Sequence, residues 1–202
     1  MNTLISIIAA YIVVFLPSIN DAVLTFDDGP HLNTTPKILD TLKKYGVKAT
    51  FCIPVYNLHD RRKLRIVKRI ISEGHTLCNH SMTHGLFNRM SDRKQEWEIL
   101  KAQSEFKRIL GVTPKYFRPP GGVITSTMRY VLRVNKIKML YWNVSTEDWR
   151  RTTSKQDIIR RAVNGWKNRK EKGKRTIILF HDTNRKTASV IEQIILKIKH
   201  EK

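Results

Sequence analysis

The chain is poor in cysteine and in acid. Two cysteines in 202 residues, Cys52 and Cys78, do not make a disulfide framework. Both fall on strands expected to be parallel neighbours, where disulfide geometry is seldom reached. Asp and Glu number 17 against 38 Lys and Arg, a net charge of +21. That balance points to anionic surroundings: nucleic acid, acidic membrane or anionic cell-wall polymer. No lysine run is long enough for a disordered tail, and no repeat or low-complexity linker divides the chain. One domain is therefore expected, with a hydrophobic fraction of 41% to build its core.

Long apolar runs are also missing. The longest, over 4–16, is broken only by Ser6 and is too short for a comfortable membrane span. It suits the apolar core of a secretory signal, although no Lys or Arg precedes it and no small-x-small cleavage site follows. Residues 1–19 are read as a signal, with an uncleaved anchor and an internal helix as alternatives, and 20–202 as the globular domain. Export places the protein outside the cell or in its envelope. An internal helix would leave it cytoplasmic.

Past that segment, short apolar stretches alternate with amphipathic ones. Strands are expected over 22–26, 47–53, 75–79, 115–117, 137–144 and 176–180. Helices fit between them. The first opens at Thr35-Pro36, a capping residue and a first-turn proline, and closes at Gly46, and the second carries the stripe Leu64, Val67, Ile70 and Ile71. A third, over 91–110, should bury Trp97, Leu100, Phe106 and Ile109. Others follow over 126–134, after the cap Ser154, and over 187–199. Strands alternating with helices of this length predict β-α-β units, hence a parallel sheet or barrel of the α/β class.

Polar clusters recur just past the strand ends: Asp27-Asp28, His80 to His84, Arg118 to Gly122, Glu147-Asp148-Trp149 and His181-Asp182. In a β/α barrel all these ends open on one face. The two adjacent aspartates repel each other and need a cation or a shared proton. His80 and His84, four apart, can converge on a metal, and a carboxylate from the pair would complete two His and one Asp with a position left open. That is the layout of a catalytic site of the zinc type. His75 reads as a structural histidine and His31 as rim surface.

The ordered set Thr25-Phe26-Asp27-Asp28-Gly29, His80-Ser81-x-x-His84, Arg118-Pro119-Pro120, Asp148-Trp149 and Leu179-x-His181 resembles the polysaccharide deacetylase (NodB-homology) family, carbohydrate esterase family four. The resemblance runs from Ala22 to the C-terminus and implies a distorted (β/α) barrel. It implies Asp28, His80 and His84 as ligands of one divalent ion, zinc first and cobalt or another divalent ion as alternatives. Asp27 would be the general base, His181 the general acid, Arg118 the residue that orients Asp27, and Asp148 the partner of His181. Trp149 and Leu179 would wall the acetyl pocket, and a backbone N–H near Gly121 would help hold the oxyanion. The implied activity is removal of N-acetyl groups from N-acetylhexosamine polymers such as peptidoglycan or chitin-type glycans, by a monomer.

The chain departs from that pattern twice. Gly121 stands where an aromatic residue usually follows the proline pair, which should cost a sugar-stacking wall. Ser145 stands where the fourth motif usually opens with Asp, which should weaken the hydrogen bonding behind the site. These departures suggest one rival, a catalytically silent glycan-binding relative. The charge alone suggests another, a nucleic-acid-binding protein, but no reading motif or interleaved aromatics support it.

Overall fold

The structure is a computed structural model that describes residues 16–200. The apolar run read as a signal therefore lies, up to residue 15, outside the described residues. Among the described residues no helix is long and apolar enough to cross a membrane.

Seven parallel strands form one sheet that curls into a half-barrel. They are β1 (Ala22–Asp27), β2 (Thr50–Ile53), β3 (Thr76–Asn79), β4 (Tyr116–Phe117), β5 (Lys138–Met139), β6 (Val144–Ser145) and β7 (Thr176–His181), ordered β5-β4-β3-β2-β1-β7-β6. Among the described residues six α-helices pack outside: α1 (Thr35–Lys44), α2 (Arg61–Ser72), α3 (Asp92–Leu110), α4 (Ser126–Val134), α5 (Lys155–Lys170) and α6 (Arg185–His200). This is the expected distorted β/α barrel.

Strand β1 is buried on both faces because it sits at the centre of the sheet. Its alternation sorts the core into two parts. Leu24 and Phe26 point outward to the helices, where Phe26 stacks on Phe51 of β2 and Phe180 of β7 with ring centroids 5.1 and 5.5 Å apart. Val23 faces the barrel interior with Cys52, Cys78, Tyr116 and Leu140. Replacing Phe26 by Ala opens a cavity among three stacked rings and should cost about 3–5 kcal/mol. Urea unfolding with an unchanged slope would read it, and a loss below about 1 kcal/mol would mean that the neighbours collapse into the space.

The strand expected over 137–144 is two strands on opposite edges of the sheet. Residues 140–143 cross the open side of the barrel between them. The Leu140 N–H donates to the carbonyl of Phe117 at 2.8 Å, and the Asn143 N–H to that of Ile177 at 3.1 Å. The β-forming side chains there fill space instead of extending a ladder: Leu140 plugs the barrel. A local pattern rich in β-formers does not reveal that its two ends pair with different neighbours.

Two smaller expectations also change. Trp97 is 41% exposed, with Lys94 Nζ 3.5 Å from its ring centroid. Phe106 is buried as expected, and the rest of the buried face of α3 is Gln95, Glu98, Ile99, Ala102 and Glu105. Thr35 is not the cap of α1 but its first residue; its hydroxyl donates to Asp182 Oδ2 at 2.6 Å and accepts the His31 N–H at 2.8 Å. The caps at Ser91 and Ser154 are formed, the latter as a capping box with Asp157. The cysteines are register partners on β2 and β3 and both are free. His75 is structural, its Nδ1 accepting the Ala49 N–H at 3.2 Å, and burial pushes its pKa down to about 4.

Candidate active site

Parallel strands carry their C-terminal ends to one rim, and the sequence clusters meet there. Asp27 ends β1, and the next residue, Asp28, turns out of the strand with φ of 73°. Asn57 holds that turn by donating from Nδ2 to the carbonyls of Asp28 and Gly29, at 2.9 and 2.8 Å. Gly29 can be nothing else: a Cβ there would lie 2.0 Å from Asp182 Oδ2.

Asp28 Oδ1 lies 2.8 Å from His84 Nε2 and 3.3 Å from His80 Nε2. One ligand atom from each of the three residues falls within 4.8 Å of the others, the one such group among the described residues. His80 Nδ1 sits 2.7 Å from the Arg118 carbonyl. Donating there, it leaves the Nε2 lone pair turned to Asp28. Asp28 Oδ1 is buried and takes no hydrogen bond of proper geometry. An orphaned carboxylate oxygen facing two imidazole nitrogens fits a divalent cation. Burial works against ionising Asp28, but the two imidazoles prevail and hold its carboxyl well below the usual carboxylate range. The same pairing raises the pKa of His84.

Asp27 is buried beside this group. Its Oδ1 accepts from Arg118 Nη1 at 2.7 Å, while Oδ2 lies 3.8 Å from His80 Nε2. Arg118 is fully buried in the barrel, with Nη1 also on Thr25 Oγ1 at 2.9 Å and Nε on the Leu140 carbonyl at 3.1 Å. Its guanidinium is therefore held by three acceptors, two on β1 and one just past β5, and it fixes Asp27 in turn.

His181 ends β7 on the opposite side of the mouth. Its Nδ1 is 2.7 Å from Asp148 Oδ1, and its Nε2 is 3.9 Å from Asp28 Oδ2. Asp148 is held by two further donors on Oδ2, the His181 N–H at 2.8 Å and Thr187 Oγ1 at 2.5 Å. Burial disfavours a charged His181, yet the Asp148 carboxylate outweighs it and the pKa is pushed up to about 9. The adjacent Asp182 is fully buried, and burial pushes its carboxyl up to about 7 against the pull of the Thr35 hydroxyl.

A cavity of about 430 Å³ opens over these groups, lined by Asp27, Asp28, His80, His84 and His181 and walled by Trp149 and Leu179. Gly121 is also on the wall, with φ of 60° and an N–H that donates to no described residue. All ten residues singled out in the sequence thus converge, Arg118 and Asp148 from beneath. The sequence reading missed Trp142. Its ring lines the cavity beside Gly121, so the wall expected to be lost there has an aromatic counterpart from the 140–143 crossing. A Cβ on Gly122 would come within 2.6 Å of that ring, and Tyr141 stacks on it at 4.4 Å. The signal is the pair Tyr141-Trp142, which lies inside the stretch over 137–144 whose β-forming residues point to a strand. Ser145 lines the cavity too and accepts the Glu147 N–H at 3.3 Å.

The family model described as polysaccharide deacetylase matches residues 17–140. A peptidoglycan-N-acetylglucosamine deacetylase of Bacillus cereus is 30% identical over 181 residues, covering 87% of this chain and 80% of that protein. The peptidoglycan-N-acetylmuramic acid deacetylase PdaC of Bacillus subtilis is 35% identical over 175 residues, 87% of this chain and 35% of PdaC. Another deacetylase of B. cereus is 37% identical over 64% of this chain and 46% of its own length, so the chain spans less than half of these last two relatives. Among solved structures, the Bc1960 peptidoglycan N-acetylglucosamine deacetylase superposes with a TM-score of 0.78 at 31% identity, over 90% of this chain and 83% of that one. The PdaC structure gives 0.74 at 34% identity, over 88% and 82%. A model match over more than half of the chain, together with relatives of this identity, means that the chain belongs to the polysaccharide deacetylase family.

Proposed function

We propose that the protein is a metal-dependent N-deacetylase acting on N-acetylhexosamine polymers, with peptidoglycan as the first candidate. The observation that carries this reading is the arrangement of Asp28, His80 and His84 within 4.8 Å, with Asp27 on one side and His181 on the other. The relatives named for peptidoglycan support the choice of glycan.

Asp28, His80 and His84 would hold one divalent ion, and two imidazoles plus one carboxylate suit zinc. When bound, such an ion supplies Lewis-acid polarisation of the amide carbonyl and makes a water easier to deprotonate. Asp27, steadied by Arg118, takes the water proton through the oxygen that faces the ligands. As oxygen adds to the acetyl carbon, the Gly121 N–H is placed to stabilise the oxyanion. Collapse breaks the C–N bond, His181 gives its Nε2 proton to the departing amine, and acetate remains. Trp149, Leu179 and Trp142 hold the acetyl group and sugar by contact. The +21 charge and the apolar run over 4–16 fit a monomer exported to an anionic cell envelope.

Acetate release from peptidoglycan, chitin oligomers and O-acetylated glycans tests the reading. The full chain should release acetate from at least one N-acetylated polymer, lose the activity with a chelator, and regain it on adding zinc. No release from any of the three, with zinc present, would leave a silent glycan-binding relative.

A further inference from the structure

We infer that Glu98, in α3, is a positioning residue for the metal ligands, pinning the segment between His80 and His84. The inference rests on reading Asp28, His80 and His84 as a metal site. A glutamate on the inward face of an amphipathic helix is costly unless it is fully partnered, and Glu98 has no exposed surface. Its partners come from that one segment and from its own helix. Oε2 accepts the Met82 and Thr83 N–H groups at 3.0 and 2.9 Å. Oε1 accepts the Thr83 hydroxyl at 2.7 Å and pairs with Lys94 Nζ at 3.3 Å.

The segment needs such an anchor. Ser81 and His84 both have positive φ, 71° and 61°, a conformation that non-glycine residues hold only when their surroundings impose it. Asn79 fixes the start, its Oδ1 accepting the Ser81 N–H at 2.8 Å, and Ser81 Oγ accepts the His84 N–H at 2.9 Å. Glu98 fixes the two residues between. The histidines differ in their dependence on this. His80 is oriented by its own hydrogen bond to Arg118, whereas the ring of His84 is 34% exposed and, among the described residues, meets only Asp28 Oδ1 at 2.8 Å and the edge of the His80 ring. The placement of His84 therefore comes from its backbone, which Ser81 Oγ and the Val55 and Tyr56 N–H groups help to hold and in which Glu98 alone takes the Met82 and Thr83 N–H groups.

The test uses the full chain, stripped by a chelator and titrated with zinc. Glu98→Ala should weaken zinc binding by about ten- to a hundredfold, the range seen for supporting partners of metal ligands. In the metal-free protein it should also speed hydrogen exchange at the Met82 and Thr83 amides. Glu98→Gln should stay near the parent, because an amide oxygen can accept both N–H groups and its NH2 can donate to Thr83 Oγ1. Should Glu98→Ala not fold, Glu98→Met keeps the packed stem and carries the same expectation. Unchanged zinc affinity in the folded Ala or Met variant overturns the inference, as does a Gln variant as weak as Ala. A parent chain that binds no zinc overturns the metal site itself, which separates the two failures.

Discussion

Asp27→Asn should keep the bound metal and lose at least about a hundredfold in the rate of acetate release, the lower range for a general base. Asp28→Asn should lose metal and rate together. The two residues are adjacent in sequence but not in circumstance. Asp27 closes the strand and points into the barrel, one oxygen on Arg118, the other turned to the ligand cluster. Asp28 leaves the strand with positive φ, so its carboxylate swings to the two histidines instead. An amide at position 27 can still accept from Arg118 but cannot take a proton from water. An amide at position 28 removes the anion that charges the ligand set. Metal content by elemental analysis and acetate release on one sample of each variant give the answer. The reverse pattern would exchange the roles, and loss of neither property would remove the pair from the mechanism.

Most of this site was legible because the fold forces it. Once strands and helices alternate, every strand end opens on one rim, so five polar clusters at strand ends must meet. The residues that failed to show were those whose role depends on contacts distant in sequence. The Tyr141-Trp142 pair looks like strand because aromatics favour strands; only the opposite-edge placement of β5 and β6 brings Trp142 to the wall of the cavity, with Tyr141 stacked on it. Glu98 lies on a helix with many charges, and the periodicity that suggested a buried Trp97 could not indicate a carboxylate meeting loop amides 15 and 16 residues earlier. Asp182 was visible only as the neighbour of His181, and its burial against Gly29 and Thr35 links α1, the β1 turn and β7 behind the site.

Asp148→Asn should move the alkaline limb of the pH–rate profile to lower pH and lower the plateau, without changing metal content. In the proposed mechanism His181 is the leaving-group acid, so activity requires its protonated form and should fall as pH rises through its pKa. Burial alone would bring that pKa down; the Asp148 carboxylate at 2.7 Å lifts it to about 9, with smaller help from Asp27 and Asp28. A divalent ion on Asp28 would cancel part of that help and leave Asp148 as the main support. In the Asn variant the His181 N–H and Thr187 hydroxyl still require an acceptor at the Oδ2 position. The side-chain oxygen stays there and the NH2 turns to Nδ1. An NH2 donating to Nδ1 fixes the neutral ring with its proton on Nε2, a far weaker acid than imidazolium. Both the lost charge and the changed tautomer act in the same direction. His181→Ala should remove the limb altogether and cost about a hundredfold or more on an N-acetyl substrate, while metal stays bound. A pH series on both variants decides it. If the Asn variant keeps the parental alkaline limb, Asp148 does not tune the acid, and if His181→Ala retains full activity on an amide, the amine takes its proton from another group.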